Sequence, residues 1–127
     1  MRTDRLLKLA DFLENVVPDD QFNIDHWTSV KPKGDHLTVG CGTAGCAIGW
    51  CPTIWPDDWE LSSVGSPCLR GHRDWGWAEE SIKDFFGLTG QKIDHLFYRE
   101  SYAVPEVTRH DVAARIRETV ANYVAAL

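Results

Sequence analysis

The segment Cys41-Gly42-Thr43-Ala44-Gly45-Cys46-Ala47-Ile48-Gly49-Trp50-Cys51 constrains this chain more than any other. Small residues at 42, 44, 45, 47 and 49 leave almost no side-chain bulk along one stretch of backbone. Glycine in a helix costs about 1 kcal/mol against alanine, so several within one turn need a compensating close approach by neighbouring elements. Thr43 is placed to cap a short helix from Ala44 to about Trp50, with Pro52 ending it. The expectation is a thin, buried central helix with other helices or aromatic rings against its small face.

Around that segment the sequence reads as helices. Leu6, Leu9, Ala10, Leu13 and Val17 recur at three- and four-residue spacing, so residues 3–16 form an amphipathic helix. Thr3 or Asp4 is expected to cap it, and Pro18 stops it. Residues 19–36 read as a loop anchored by Phe22, Ile24 and Trp27, with an exposed turn at Lys31-Pro32-Lys33-Gly34-Asp35. Residues 36–40 read as a short extended piece. Trp59, Leu61 and Val64 fit a short strand, which gives a hairpin near 59–70. Ala78 to Phe86 reads as a helix with Ala78, Ile82, Phe85 and Phe86 inward, closed by Gly87 in the left-handed conformation. Thr89 caps a second helix that turns Ile93, Leu96 and Phe97 inward. Thr108 caps the last helix, with Asp111 at its third position and Val112, Ile116, Val120, Tyr123 and Val124 as its stripe. The fold class is therefore mainly α: one compact domain of four or five helices around the small-residue helix, with one minor β-hairpin. At 127 residues, with 43% apolar and 25% charged residues, such a core needs no staples and fits one domain spanning 1–127.

Charge and composition exclude several function classes. The formal net charge of −6 argues against a sequence-independent grip on nucleic-acid phosphates. No apolar run reaches the length of a membrane span, and the N-terminus lacks the apolar stretch of a signal peptide. These readings imply a cytoplasmic protein whose four cysteines are reduced thiols.

Cysteines in this pattern offer two chemistries, nucleophile and metal ligand. Cys41, Cys46, Cys68 and His72 would be the zinc ligands if a metal is bound, yet the chain has no Cys-x-x-Cys knuckle. On one helix Cys46 and Cys51 would diverge by about 140°. Cys41 before the cap and Cys46 in the first turn are placed where a helix dipole lowers a thiol pKa, with His26, His36, His72, His95 and His110 available as bases. The box loosely resembles the Cys-Gly-Ser/Ala-Cys-Trp segment of papain-like proteases. It differs by extra residues between the cysteines and before Trp50, and the chain is too short for that fold. Gly40, Gly42, Gly45 and Gly49 meet neither nucleotide-binding fingerprint. The favoured reading makes the thiols buried filler, with no metal and no cofactor.

Five of the six tryptophans lie between Trp50 and Trp77, interleaved with acids. From 57 to 84 there are seven acidic and three basic residues. Rigid indoles supply contact area and carboxylates select a basic partner. The expected partner-binding surface is Trp55, Asp57, Asp58, Trp59, Asp74, Trp75, Trp77, Glu79 and Glu80, with burial of the tryptophans in the core as the competing reading.

The order Cys41-Gly42-Thr43, Cys46, Gly49-Trp50, then Phe85-Phe86-Gly87-Leu88 and Leu96-Phe97 resembles small uncharacterised bacteriophage and bacterial proteins. That resemblance implies a phage or bacterial origin and an accessory role, and it carries no activity to assign. The function expected is a non-enzymatic protein-binding module that modulates a host factor or defence system. A zinc-stabilised domain and a thiol-dependent enzyme are the alternatives.

Overall fold

The computed structural model describes residues 1–22, 46–61, 67–71 and 78–127. Among them are five α-helices: α1 (Thr3–Asn15), α2 (Cys51–Ile54), α3 (Ala78–Phe86), α4 (Gly90–Phe97) and α5 (Arg109–Ala125). Strands β1 (Trp59–Leu61) and β2 (Pro67–Leu69) form one antiparallel pair, with Trp59 opposite Leu69, Glu60 opposite Cys68 and Leu61 opposite Pro67. The architecture is mainly α with one minor two-stranded sheet. No helix among the described residues is long and apolar enough to cross a membrane.

The stripe on α1 does what its spacing requires. Leu6, Leu9, Ala10 and Leu13 are fully buried, and Val17 beyond the helix joins them. Their main cover is α5, whose buried face is Val112, Ala113, Ile116, Thr119 and Val120. The two helices run antiparallel, because the start of α5 meets the end of α1 through Arg109. Tyr123 is half-buried and Val124 is exposed, so the α5 stripe ends a turn earlier than its sequence spacing suggests.

Helix ends depart from local expectation where another element supplies the partner. Neither Thr3 nor Asp4 caps α1; Arg2 is its cap residue, with no side-chain bond. The Arg2 N–H instead donates to Phe86 O at 2.8 Å, which docks the start of α1 on the end of α3. Gly87 closes α3 with φ +64°, and its N–H donates to Lys83 O at 2.9 Å. A Cβ there would also lie 3.3 Å from the Met1 backbone. Thr89 accepts from Lys92 N–H, and Thr108 with Asp111 forms a reciprocal capping box, both as the sequence implies.

The described part of the small-residue segment, 46–51, is buried, and its α-helical turn starts later than expected. Cys46, Ala47, Ile48, Gly49, Trp50 and Cys51 are all buried. Ile48–Trp50 is a single 3-10 turn, and α2 begins at Cys51. Pro52 therefore sits in the first turn of α2 instead of ending a helix. Its missing N–H costs nothing there, since first-turn amides have no intrahelical acceptor. The expectations at Ile24, Trp27, 31–35, 36–40, Thr43 and Val64 lie outside the described residues.

Three arginines satisfy the carbonyls at or beyond helix C-termini. Arg5 Nη1 donates to Phe85 O at 2.8 Å at the end of α3. Arg109 Nη1 donates to Leu13 O and Glu14 O at 2.9 and 2.6 Å at the end of α1, while its Nε binds Asp19 at 2.7 Å. Arg115 Nη1 donates to His95 O at 2.9 Å and Ser101 O at 2.8 Å, and its guanidinium lies 3.7 Å from the Tyr102 ring centroid. The last carbonyls of a helix lack intrahelical donors, so each arginine joins a local end to a distant element.

Arg109→Leu should remove three charge-assisted bonds and cost about 2–3 kcal/mol in urea unfolding. The amide N–Hs of the last α1 turn should lose hydrogen-exchange protection first. Unchanged protection at Val16 and Val17 would show that the cap contributes nothing.

Candidate functional site

The expected partner surface is divided by the fold. Trp59 is 1% exposed and cannot be offered to a partner, which corrects its assignment there. Its ring lies 5.4 Å from Phe85 at 82° and 6.4 Å from Phe86, as β1 turns it onto α3. Edge-to-face rings at these separations add about 0.5–1.5 kcal/mol per pair beyond area burial. Trp50, which the same cluster of tryptophans includes, is also buried, against Phe12 at 5.8 Å. Among the described residues neither Trp50 Nε1 nor Trp59 Nε1 has a hydrogen-bond partner. A buried orphan donor costs about 1–3 kcal/mol, so both rings are kept for their apolar area.

Trp55 is the half-buried member. One side of it packs on Phe85 at 4.9 Å and Phe86 at 5.8 Å, and Lys8 Nζ lies 5.5 Å from its ring centroid. It closes α2, its N–H donating to Cys51 O at 2.8 Å. Its own carbonyl accepts from the N–Hs of Asp58 and Trp59 at 3.1 and 2.9 Å. The chain so folded is a tight turn at 56–58 that leaves Asp57 and Asp58 exposed.

Arg70, just past β2, fixes that turn from the far strand. Its backbone N–H donates to Asp58 O at 2.9 Å, and its guanidinium donates to Pro56 O at 2.9 Å and to Glu60 Oε2 at 3.0 Å. Glu60 thus neutralises the Arg70 guanidinium beside the turn. Asp57 and Asp58 take part in no ion pair among the described residues. Two free carboxylates therefore stand on a backbone locked at both strands, next to the edge of an anchored indole.

The other acids go elsewhere. Glu80 is exposed and pairs with Lys83 at 3.8 Å, one turn along α3. Glu79 is half-buried, with Oε1 3.8 Å from the point where a Cβ on Gly90 would stand. Its charge, with those of Asp94 and Glu100, adds to burial in raising the Tyr98 pKa. Asp74, Trp75 and Trp77 lie outside the described residues. The turn's clamp, Arg70, carries no motif in the sequence. Its only signal there is a basic residue directly after the second strand.

The thiols read as filler where they are described. Cys46, Cys51 and Cys68 are buried, and none of them forms a disulfide. The N–Hs of Gly49 and Ile48 face the Cys46 sulfur and pull its pKa down, as expected at the start of a helical turn. Burial outweighs them and pushes the thiol up to about 12. Burial raises Cys51 as well, with the nearby Cys46 adding to it. This counts against the alternative reading of an activated Cys46: solvation of a thiolate is worth more than two backbone dipoles. Among the described residues no group of three or more His, Cys, Asp or Glu side chains could hold a metal. Of the four ligands considered for zinc, Cys41 and His72 lie outside the described residues.

No protein-family model, curated protein or solved structure matches this chain. The site is therefore read from its own geometry.

Two measurements check this account. Trp59→Ala should cost about 3–5 kcal/mol of folding stability, and Trp55→Ala clearly less, because Trp55 is only partly buried. Equal losses would mean that Trp55 is core. For the thiols the linkage runs one way: both pKa values are raised in the folded state. Below the ordinary thiol value of about 8.5 their protonated forms carry no penalty in either state. As pH climbs from there toward 12, the unfolded chain loses thiol protons that the folded chain keeps, and stability falls. The slope should approach about 1.4 kcal/mol per pH unit per thiol. Cys46→Ala should flatten it, and an unchanged slope would contradict the assignment.

Proposed function

We propose that this chain is a small phage or bacterial accessory protein that binds another protein through the 56–58 turn and the exposed edge of Trp55, without catalysis. The arrangement of Asp57 and Asp58 carries this reading. Both carboxylates are exposed and unpaired among the described residues, on a turn clamped by Arg70 and anchored by the Trp55 ring. Pre-ordered groups lose little conformational entropy on association, so more of their interaction survives as affinity. The complementary surface is basic, with Lys or Arg side chains meeting the two carboxylates and an apolar stem lying on the indole edge. The chain's net charge of −6 favours approach of such a partner over distances of about 10 Å at moderate salt.

Affinity capture from bacterial lysate with three forms of the chain tests this. The wild type and a control with Glu100→Lys and Glu106→Lys should retain the same partner. The double reversal Asp57→Lys with Asp58→Lys should weaken it by about tenfold or more, and added salt should mimic the loss. If the double reversal holds every partner as well as the wild type does, the turn is not the docking element.

A further inference from the structure

A groove of about 320 Å³ runs between α4 and α5, lined by Lys92, His95, Thr119, Asn122, Tyr123 and Ala126. Helical spacing builds it. Lys92 and His95 are one turn apart on α4, beside the buried Ile93 and Leu96. Thr119, Asn122, Tyr123 and Ala126 follow at three- and four-residue steps on α5, beside the buried Ile116 and Val120. The two apolar faces meet below, and the polar flanks form the walls.

The lining carries one fixed charge, the Lys92 ammonium, and no carboxylate. Its imidazole, carboxamide, phenol and hydroxyl can each donate as well as accept. That is a marked local departure for a chain with 19 acidic and 13 basic residues. The acids next to the lining in sequence are Asp94 and Glu118, neither of which lines the groove, and the Asp94 charge acts on Tyr98. Lys92 is exposed and takes part in no ion pair among the described residues. The volume sits at the small end of the range of about 300–1,000 Å³ for small-molecule sites, enough for a sugar-sized molecule.

The geometry points to a binding site in this groove for a sugar-sized molecule bearing one phosphate or carboxylate group. Lys92 and His95 face the oxyanion, Asn122 and the Tyr123 hydroxyl take ligand hydroxyls, and the Tyr123 ring offers an apolar face. The site lies on helices that the 56–58 turn does not include, so it stands or falls separately from the protein-binding role. Open walls screen the charges, which sets the expected Kd near 1 mM, or about −4 kcal/mol.

Titration of the isotope-labelled full chain, followed by amide chemical shifts, tests it with three probes: glucose 6-phosphate, gluconate and glucose. The expected result is saturable shifts confined to residues 92–95 and 119–126 with a charged probe. Lys92→Gln, a change at an exposed side chain, should weaken that Kd by about fivefold or more while leaving the remaining spectrum in place. A response to glucose 6-phosphate alone assigns a phosphate, to gluconate alone a carboxylate, and to both a general oxyanion site. Equal binding of neutral glucose, an unaltered Kd in Lys92→Gln, shifts scattered over surface arginines, or silence up to about 20 mM would each overturn the proposal.

Discussion

The structure depends on how the carbonyl ends of its short helices are satisfied. A helix leaves its last four carbonyls without intrahelical donors, and in helices of eight to thirteen residues these ends are a large share of the backbone. No basic residue occupies the last turn of α1, so no local cation answers its terminal charge; Asn15 Nδ2 donates to Asp11 O at 3.0 Å, and Leu13 O and Glu14 O are left for a distant donor. Arg109, at the start of α5, answers it from 96 residues away in sequence. The same pairing is extended by Arg117, which reaches Asp11 at 2.7 Å and also bonds Glu14. Apolar burial between α1 and α5 supplies most of the free energy, and the guanidinium contacts set which register that burial takes.

A second centre of order is the ring cluster of Trp55, Trp59, Phe85 and Phe86. Phe85 and Phe86 stand 5.0 Å apart at 89°, so adjacent residues at the end of α3 present crossed rings to two different tryptophans. This cluster connects the helical body to the small sheet, together with the Leu69 N–H donating to Ser81 Oγ at 2.9 Å. It also explains how one acidic loop acquires a fixed shape. The loop is short, its backbone bonds close on themselves, and the residue that starts it is anchored in the cluster.

Much of the helical layout was legible in the sequence because it rests on local rules. The stripe Leu6, Leu9, Ala10, Leu13 and Val17, the left-handed Gly87 and the Thr108–Asp111 box are each decided within about eight residues. The readings that failed were decided by partners far along the chain. Thr3 and Asp4 look like caps, but Phe86 O takes the first backbone donor. Pro52 looks like a stop, and becomes a first-turn residue once the preceding turn tightens to 3-10 geometry. Asp57 and Asp58 were legible as surface because ionised carboxylates stay hydrated. Trp55 and Trp59, four apart, share one composition, and only tertiary packing separates the half-wet ring from the dry one. Arg70 was invisible as a clamp, since its partners are carbonyls with no sequence signature.

The antiparallel seam of α1 with α5 has a consequence for the order of events in making this molecule. The leucine face of α1 leaves the ribosome well before α5, the helix that covers it. Until then that face is sticky and bare, available to chaperones or to other nascent chains. Closing so long a loop is slow compared with forming either helix alone, which delays the moment at which the body of the domain locks.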